Sequence, residues 1–99
     1  MQFLVVSRRR TERYSDDQFD ELVETEIQQA KVLYGRGFIR QVWRRGDIPG
    51  ACLLLEADSL EEANEQVNTL PLYKTGRVEA NVIPLLPYAG FSPPPSGTE

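Results

Sequence analysis

The sequence contains no histidine, and that absence removes more chemistry than any other feature of its composition. A Ser-His-Asp triad is excluded, and so are histidine-ligated zinc and iron centres. Acid–base work therefore falls to Glu, Asp, Lys, Tyr or Arg, or to a bound molecule. A single cysteine, Cys52, cannot form an internal disulfide, which fits a reducing compartment. It lies in an apolar run with no base to activate it and reads as a small buried apolar residue. Oxygen donors remain, but they suit Mg²⁺ or Ca²⁺ only when clustered. Glu61, Glu62 and Glu65 read instead as the solvated face of a helix. No metal and no cofactor is expected.

Long hydrophobic runs are also missing. The amino-terminal apolar run covers only residues 3–6 and has no positive charge before it, so no signal peptide is expected. No stretch approaches the roughly 20 residues of a membrane span. The expected location is the cytoplasm, with no membrane partner. Basic excess is absent too: 15 acidic and 11 basic side chains give a net charge of −4. That balance argues against a nucleic-acid partner. The one basic cluster, Arg8-Arg9-Arg10 with Arg13, is either a contact for phosphate or an anionic partner or, since it lacks interleaved aromatics, a solvated loop, and the second reading is favoured.

With 99 residues the chain makes one domain with a modest core. Residues 3–6 are short and apolar and read as a first strand, followed by a polar loop over 7–14. Ser15 opens a helix, with Gln18 three residues on as the partner of a capping box and Asp16 and Asp17 at the positive end of the helix dipole. Phe19, Leu22, Val23, Ile27, Ala30 and Leu33 follow at amphipathic spacing, and Gly35 and Gly37 stop the helix. Residues 38–44 read as a second strand, with Ile39, Gln41 and Trp43 on one face and Phe38, Arg40, Val42 and Arg44 on the other. Residues 46–50 form a turn into a third strand over 51–56. Ser59 and Glu62 cap a second helix whose stripe is Leu60, Ala63, Val67 and Leu70. Pro71 ends it, and a loop through Tyr73 leads to a fourth strand over 78–85.

The order is β-α-β-β-α-β, the ferredoxin-like split βαβ arrangement of the α+β class, with two helices on one face of a four-stranded antiparallel sheet. The third strand is apolar on both sides: Ala51, Leu53 and Leu55 on one, Cys52 and Leu54 on the other. The first strand is apolar on both sides as well. A sheet with water on one face alternates cleanly, so a second subunit is expected to cover this one in a two-fold pairing. Whichever of Leu53 and Leu54 faces away from the helices belongs to that interface. The close of the chain, residues 84–99, holds five of the seven prolines and is expected to be extended. Leu85, Leu86, Tyr88 and Phe91 are too apolar for a free tail and are expected to lie along a surface. The folded domain is thus expected to span residues 1–91, with residues 92–99 a disordered tail.

Glu26 stands out. It sits four residues after Leu22 and four before Ala30, inside the apolar stripe, where a carboxylate is rarely found unpaired. It is either a desolvated general base with a raised pKa or half of an ion pair with Arg40 or Arg44. Trp43 reads as a platform for a planar ligand or as core or interface, Arg40 and Arg44 as a bidentate site for a substrate carboxylate or as a rim or inter-subunit salt bridge, and Tyr73 and Tyr14 as ligand-bonding hydroxyls or ordinary surface tyrosines.

The segment Arg36-Gly37-Phe38-Ile39-Arg40-Gln41-Val42-Trp43-Arg44, the loop Leu70-Pro71-Leu72-Tyr73 and the proline-rich close together resemble the muconolactone Δ-isomerase family, within the dimeric α+β barrel superfamily. The resemblance covers about residues 2 to 91. It implies sheet-to-sheet pairing into a homodimer or a larger ring of dimers, and a small-molecule ligand. It implies cofactor-free proton transfer within an unsaturated lactone or carboxylate. It places Glu26 as the catalytic carboxylate and Arg40, Gln41, Trp43, Arg44 and Tyr73 as substrate-binding residues. Gln41 stands where the family carries histidine. Two alternatives remain: a non-catalytic oligomeric module that binds a metabolite, and a cofactor-free monooxygenase of the same superfamily.

Overall fold

The structure, a computed structural model, describes residues 1–91. The elements run β1 (Gln2–Arg9), α1 (Asp16–Gly35), β2 (Ile39–Arg44), β3 (Ala51–Glu56), α2 (Leu60–Val67), α3 (Pro71–Lys74) and β4 (Val78–Pro84). They form one antiparallel four-stranded sheet of order β2-β3-β1-β4, with the helices on one face. This is the ferredoxin-like α+β arrangement that the sequence order implies. No helix among the described residues is long and apolar enough to cross a membrane. The tail expected to be disordered, residues 92–99, lies outside the described residues.

Both helix starts follow their capping chemistry. The Gln18 amide donates to Ser15 Oγ at 3.4 Å, and the Ser15 amide donates back to Gln18 Oε1 at 2.8 Å. The Glu62 amide donates to Ser59 Oγ at 3.1 Å. Each arrangement satisfies amides that a helix start leaves unpaired. Past the end of α1, Gly37 takes φ +83°, a conformation that costs a residue without a Cβ little.

The core lies between helices and sheet. Phe3, Val5, Leu33, Ile39, Leu53, Leu55, Ala63, Val67 and Leu70 form its main cluster, and Phe19, Leu72 and Val78 form a smaller one. Pairing of Val5 with Leu53 and of Phe3 with Leu55 puts these side chains in shared rows facing the helices. Leu4, Val6, Cys52 and Leu54 fall on the other face, so Leu54 is the outward leucine. None of the three helices covers that face. Leu86, Tyr88 and Phe91, expected against a surface, are exposed in the single chain, with the two rings stacked edge to face at 5.5 Å.

Three local features depart from the pattern read in the sequence. First, β1 runs on to Arg9, because Ser7, Arg8 and Arg9 pair with Ala80, Glu79 and Val78 of β4. Backbone pairing holds there although the side chains are polar. Second, a bulge lies between Ile39, opposite Leu55, and Gln41, opposite Leu54. One extra residue flips the alternation. Ile39 therefore joins Val42 and Arg44 on the helix face, while Gln41 and Trp43 stay on the other. Third, α2 ends at Val67, and Pro71 begins a separate short helix instead of only ending the previous one. Proline suits a first helical position, where its missing N–H costs nothing.

Candidate functional site

At the end of the layer where β1 carries Ser7 and Arg9, α1 and the sheet do not close on each other. They leave a largely apolar cavity of about 250 Å³. For scale, about 150 Å³ is enough to hold benzene. Val23, Glu26, Ile27 and Ala30 of α1 form one wall, Leu72 and Tyr73 of α3 a second, and Val42, Arg44, Ala51 and Leu53 of the sheet a third.

Glu26 is half-buried on the α1 wall, and its Oε1 accepts a hydrogen bond from the Leu72 amide at 2.8 Å. Burial pushes its pKa up; the Leu72 amide and the positive charge of Arg9 oppose that shift. Glu26 belongs to none of the ion pairs among the described residues. The pairing with Arg40 or Arg44 that the sequence left open is therefore replaced by a backbone amide. The bulge contributes to this outcome: Arg40 is the extra residue, and it lies exposed beside Tyr34 and Gly37, away from the cavity.

Tyr73 faces Glu26's cavity from α3. Its hydroxyl donates to Ser7 Oγ at 3.0 Å. Burial, ahead of the nearby Glu26 charge, pushes its pKa up to about 12, against the Ser7 bond that lowers it. At neutral pH Tyr73 is thus an uncharged donor. Ser7 is 2% exposed and is the one buried polar residue of the described chain. Its Oγ accepts from the Ala51 amide and donates to the Ala51 carbonyl, both at 3.2 Å.

Of the residues singled out in the sequence, Glu26, Arg44 and Tyr73 come together here. Trp43 borders the cavity from the edge strand, although its pairing with Cys52 sets it in a row of the opposite face, and it is 48% exposed. Gln41 lies on that opposite face, where its Oε1 accepts from the Val42 amide. Ser7 and Arg9 also line the cavity; ending the first strand at Val6 had put Ser7 in a loop and Arg9 in a loop-borne basic cluster. The signal was present: Phe3, Val5, Ser7 and Arg9 alternate on one face once the strand is extended. Among the described residues no three His, Cys, Asp or Glu side chains converge as a metal site.

Two solved structures share this ferredoxin-like α+β fold. Muconolactone isomerase superposes with a TM-score of 0.74 over 91% of this chain and 93% of its own, at 20% sequence identity. The 5-chloro-2-hydroxyhydroquinone dehydrochlorinase of Burkholderia phenoliruptrix AC1100, solved in complex with 2,5-dihydroxybenzoquinone, superposes with a TM-score of 0.63 over 87% of this chain and 94% of its own, at 18% identity. No family model and no curated protein matches the sequence. At these identities the likeness is one of fold.

Proposed function

We propose that the chain is a small, cofactor-free enzyme similar to muconolactone isomerase, which moves a proton within an unsaturated lactone or carboxylate. One observation carries this reading: a carboxylate, Glu26, stands on the wall of an apolar cavity with its pKa raised by desolvation and no cation paired to it. A base in that condition is stronger than an ordinary carboxylate. Glu26 takes a proton from a carbon next to the substrate carbonyl, and the electron pair moves onto the carbonyl oxygen. Tyr73, uncharged at neutral pH, turns its hydroxyl from Ser7 to that oxygen as negative charge develops. The proton then returns from Glu26 to another carbon of the conjugated system. Trp43 and Arg44 border the bound molecule.

The test is turnover of muconolactone, followed by ultraviolet absorbance, in the wild type and in Glu26→Gln. Loss of about 10²- to 10⁴-fold in the variant is expected, the usual contribution of a general base. Equal turnover in the two proteins would remove Glu26 from the chemistry. The bond between Glu26 and the Leu72 amide favours a second reading, a binding module in which this carboxylate ties α1 to α3. Binding of the lactone without turnover by the wild type selects that reading.

The same proposal includes self-association through the open face of the sheet. Leu4, Val6, Cys52, Leu54 and Ile83 lie there, only partly covered, and no helix reaches them. A second copy offers the complementary surface in a two-fold pairing. Sedimentation is expected to show at least a dimer at micromolar concentration. Leu54→Asp is expected to dissociate it by placing an unpaired charge in an apolar interface. A wild-type chain that sediments as a stable monomer would refute the pairing.

A further inference from the structure

The polar part of the cavity wall continues past Glu26 to its mouth. Arg9 and Arg44 border both the cavity and an adjoining depression of about 370 Å³ formed with the β2–β3 turn. The turn is held onto β1: the Arg9 amide donates to the Pro49 carbonyl at 2.9 Å, and a Cβ on Gly50 would overlap the Ser7 carbonyl. Most other arginines at this end are already engaged by acids. Arg8 pairs with Glu12 and Glu79, Arg45 with Asp47, and Arg77 with Glu21. Arg9 and Arg44 have no carboxylate partner among the described residues, in a chain that carries an excess of acids. Arg9 is also held in place, its guanidinium 5.0 Å from the centre of the buried Phe19 ring.

The geometry points to an anion subsite at this mouth, in which Arg9 and Arg44 seat the carboxylate of a planar unsaturated ligand whose uncharged part lies beside Glu26. The assignment rests on the reading of the cavity as a substrate pocket, and it adds Arg9 as a residue that determines specificity. Charge balance supports it. Two guanidinium groups face one carboxylate, so a monoanion brings the site to neutrality. Guanidinium is weakly hydrated and forks to both oxygens of a carboxylate, which makes it the better cation for a partly desolvated mouth. Seating the anion also screens Glu26 from Arg9, whose charge otherwise holds its pKa down. A carboxylate ligand thereby makes the base stronger, and an uncharged analogue does not.

Titration calorimetry with sorbate (hexa-2,4-dienoate) and with its amide, sorbamide, tests the assignment. The two have the same shape and differ in charge. The wild type is expected to bind sorbate at least about ten-fold more tightly than sorbamide, and Arg9→Met and Arg44→Met are each expected to lose about ten-fold or more for sorbate only. Lys31→Met, exposed on α1, should leave both affinities unchanged. Should Arg9→Met fail to fold, as its melting curve would reveal, Arg9→Lys keeps the charge without the fork and is expected to fall between it and the wild type. Equal affinity for the two probes, an Arg9 variant that binds sorbate as the wild type does, or no saturable binding of sorbate would each overturn the subsite. Glu26→Gln should retain or tighten sorbate binding. A wild type that shows this pattern and yet leaves muconolactone unchanged would strike the proton-transfer role and leave the anion subsite standing.

Discussion

At one end of the layer between helices and sheet, Phe3, Leu55, Ala63 and Val67 meet with almost no surface exposed. At the other end, the same strand β1 presents Ser7 and Arg9, and the helices opposite present Glu26 and Tyr73. The two ends share strands, pleat and facing helix, and differ only in what the alternate positions carry. Apolar side chains at Phe3 and Val5 draw the layers together. Polar ones two and four residues further on leave them apart, because an unpartnered charge or hydroxyl there must keep access to water or to a ligand. The closed end carries the stability, and that allows the open end to keep groups that contribute little to it. Such a division is what a small domain with a modest core can support.

The sharpest way to break this comparison is to exchange the roles of the ends. Phe3→Ala at the closed end should cost about 3–5 kcal/mol of unfolding free energy in urea, through lost burial and the cavity left behind. Gly50→Ala comes next. Its Cβ would fall against the Ser7 carbonyl and the Arg8 backbone, so the β2–β3 turn must move off β1. Overpacking of this kind costs about 1–3 kcal/mol, and the same shift should disturb sorbate binding at the mouth. Tyr73→Phe should cost less again, about 0.5–1.5 kcal/mol. It removes one hydrogen bond and leaves Ser7 Oγ bonded to Ala51. A loss for Tyr73→Phe as large as that for Phe3→Ala would show that the open end is structural after all.

The closed end was also the more legible of the two in the sequence. Element order, both serine caps and the apolar stripe of α1 follow from short-range rules, and the chain obeys them. Two-sided apolarity of the third strand pointed to a covered outer face, and pairing places Leu4, Val6, Cys52 and Leu54 there. The open end was legible only in part. Glu26 stood out because a carboxylate interrupts an apolar stripe, and Tyr73 and Arg44 because they sit in short motifs. Ser7 was not seen and Arg9 was seen only as part of a loop-borne basic cluster, since strand pairing through polar residues leaves no apolar signature. Arg40 and Val42 were given the same face because periodicity has no symbol for a bulge. Glu26's partner was equally hidden, since a backbone amide 46 residues away is a tertiary fact without a side-chain signature.

The smallest expected effect is the most decisive for the open end. Glu26→Gln keeps the shape of the side chain and keeps an oxygen to accept from the Leu72 amide. What it removes is a charge whose burial raises the pKa above that of an unfolded glutamate, roughly 4.3. Between those two values the folded chain holds a proton that the unfolded chain has released. Stability contributed at this position is therefore highest below the unfolded value, falls as pH rises towards the folded one, and stays at its lower level above it. Glutamine has no such dependence. Urea unfolding of both proteins from pH 4 to pH 8 at fixed salt isolates the effect, because the remaining carboxylates titrate alike in each and cancel in the difference. The variant is expected to match the wild type near pH 4 and to equal or exceed it at pH 7. An opposite trend, with the wild type gaining on the variant as pH rises, would mean that attraction to Arg9 and the Leu72 amide outweighs desolvation. Glu26 would then be a fixed charge that holds the end together, and the comparison between a closed structural end and an open chemical one would fail at its central residue.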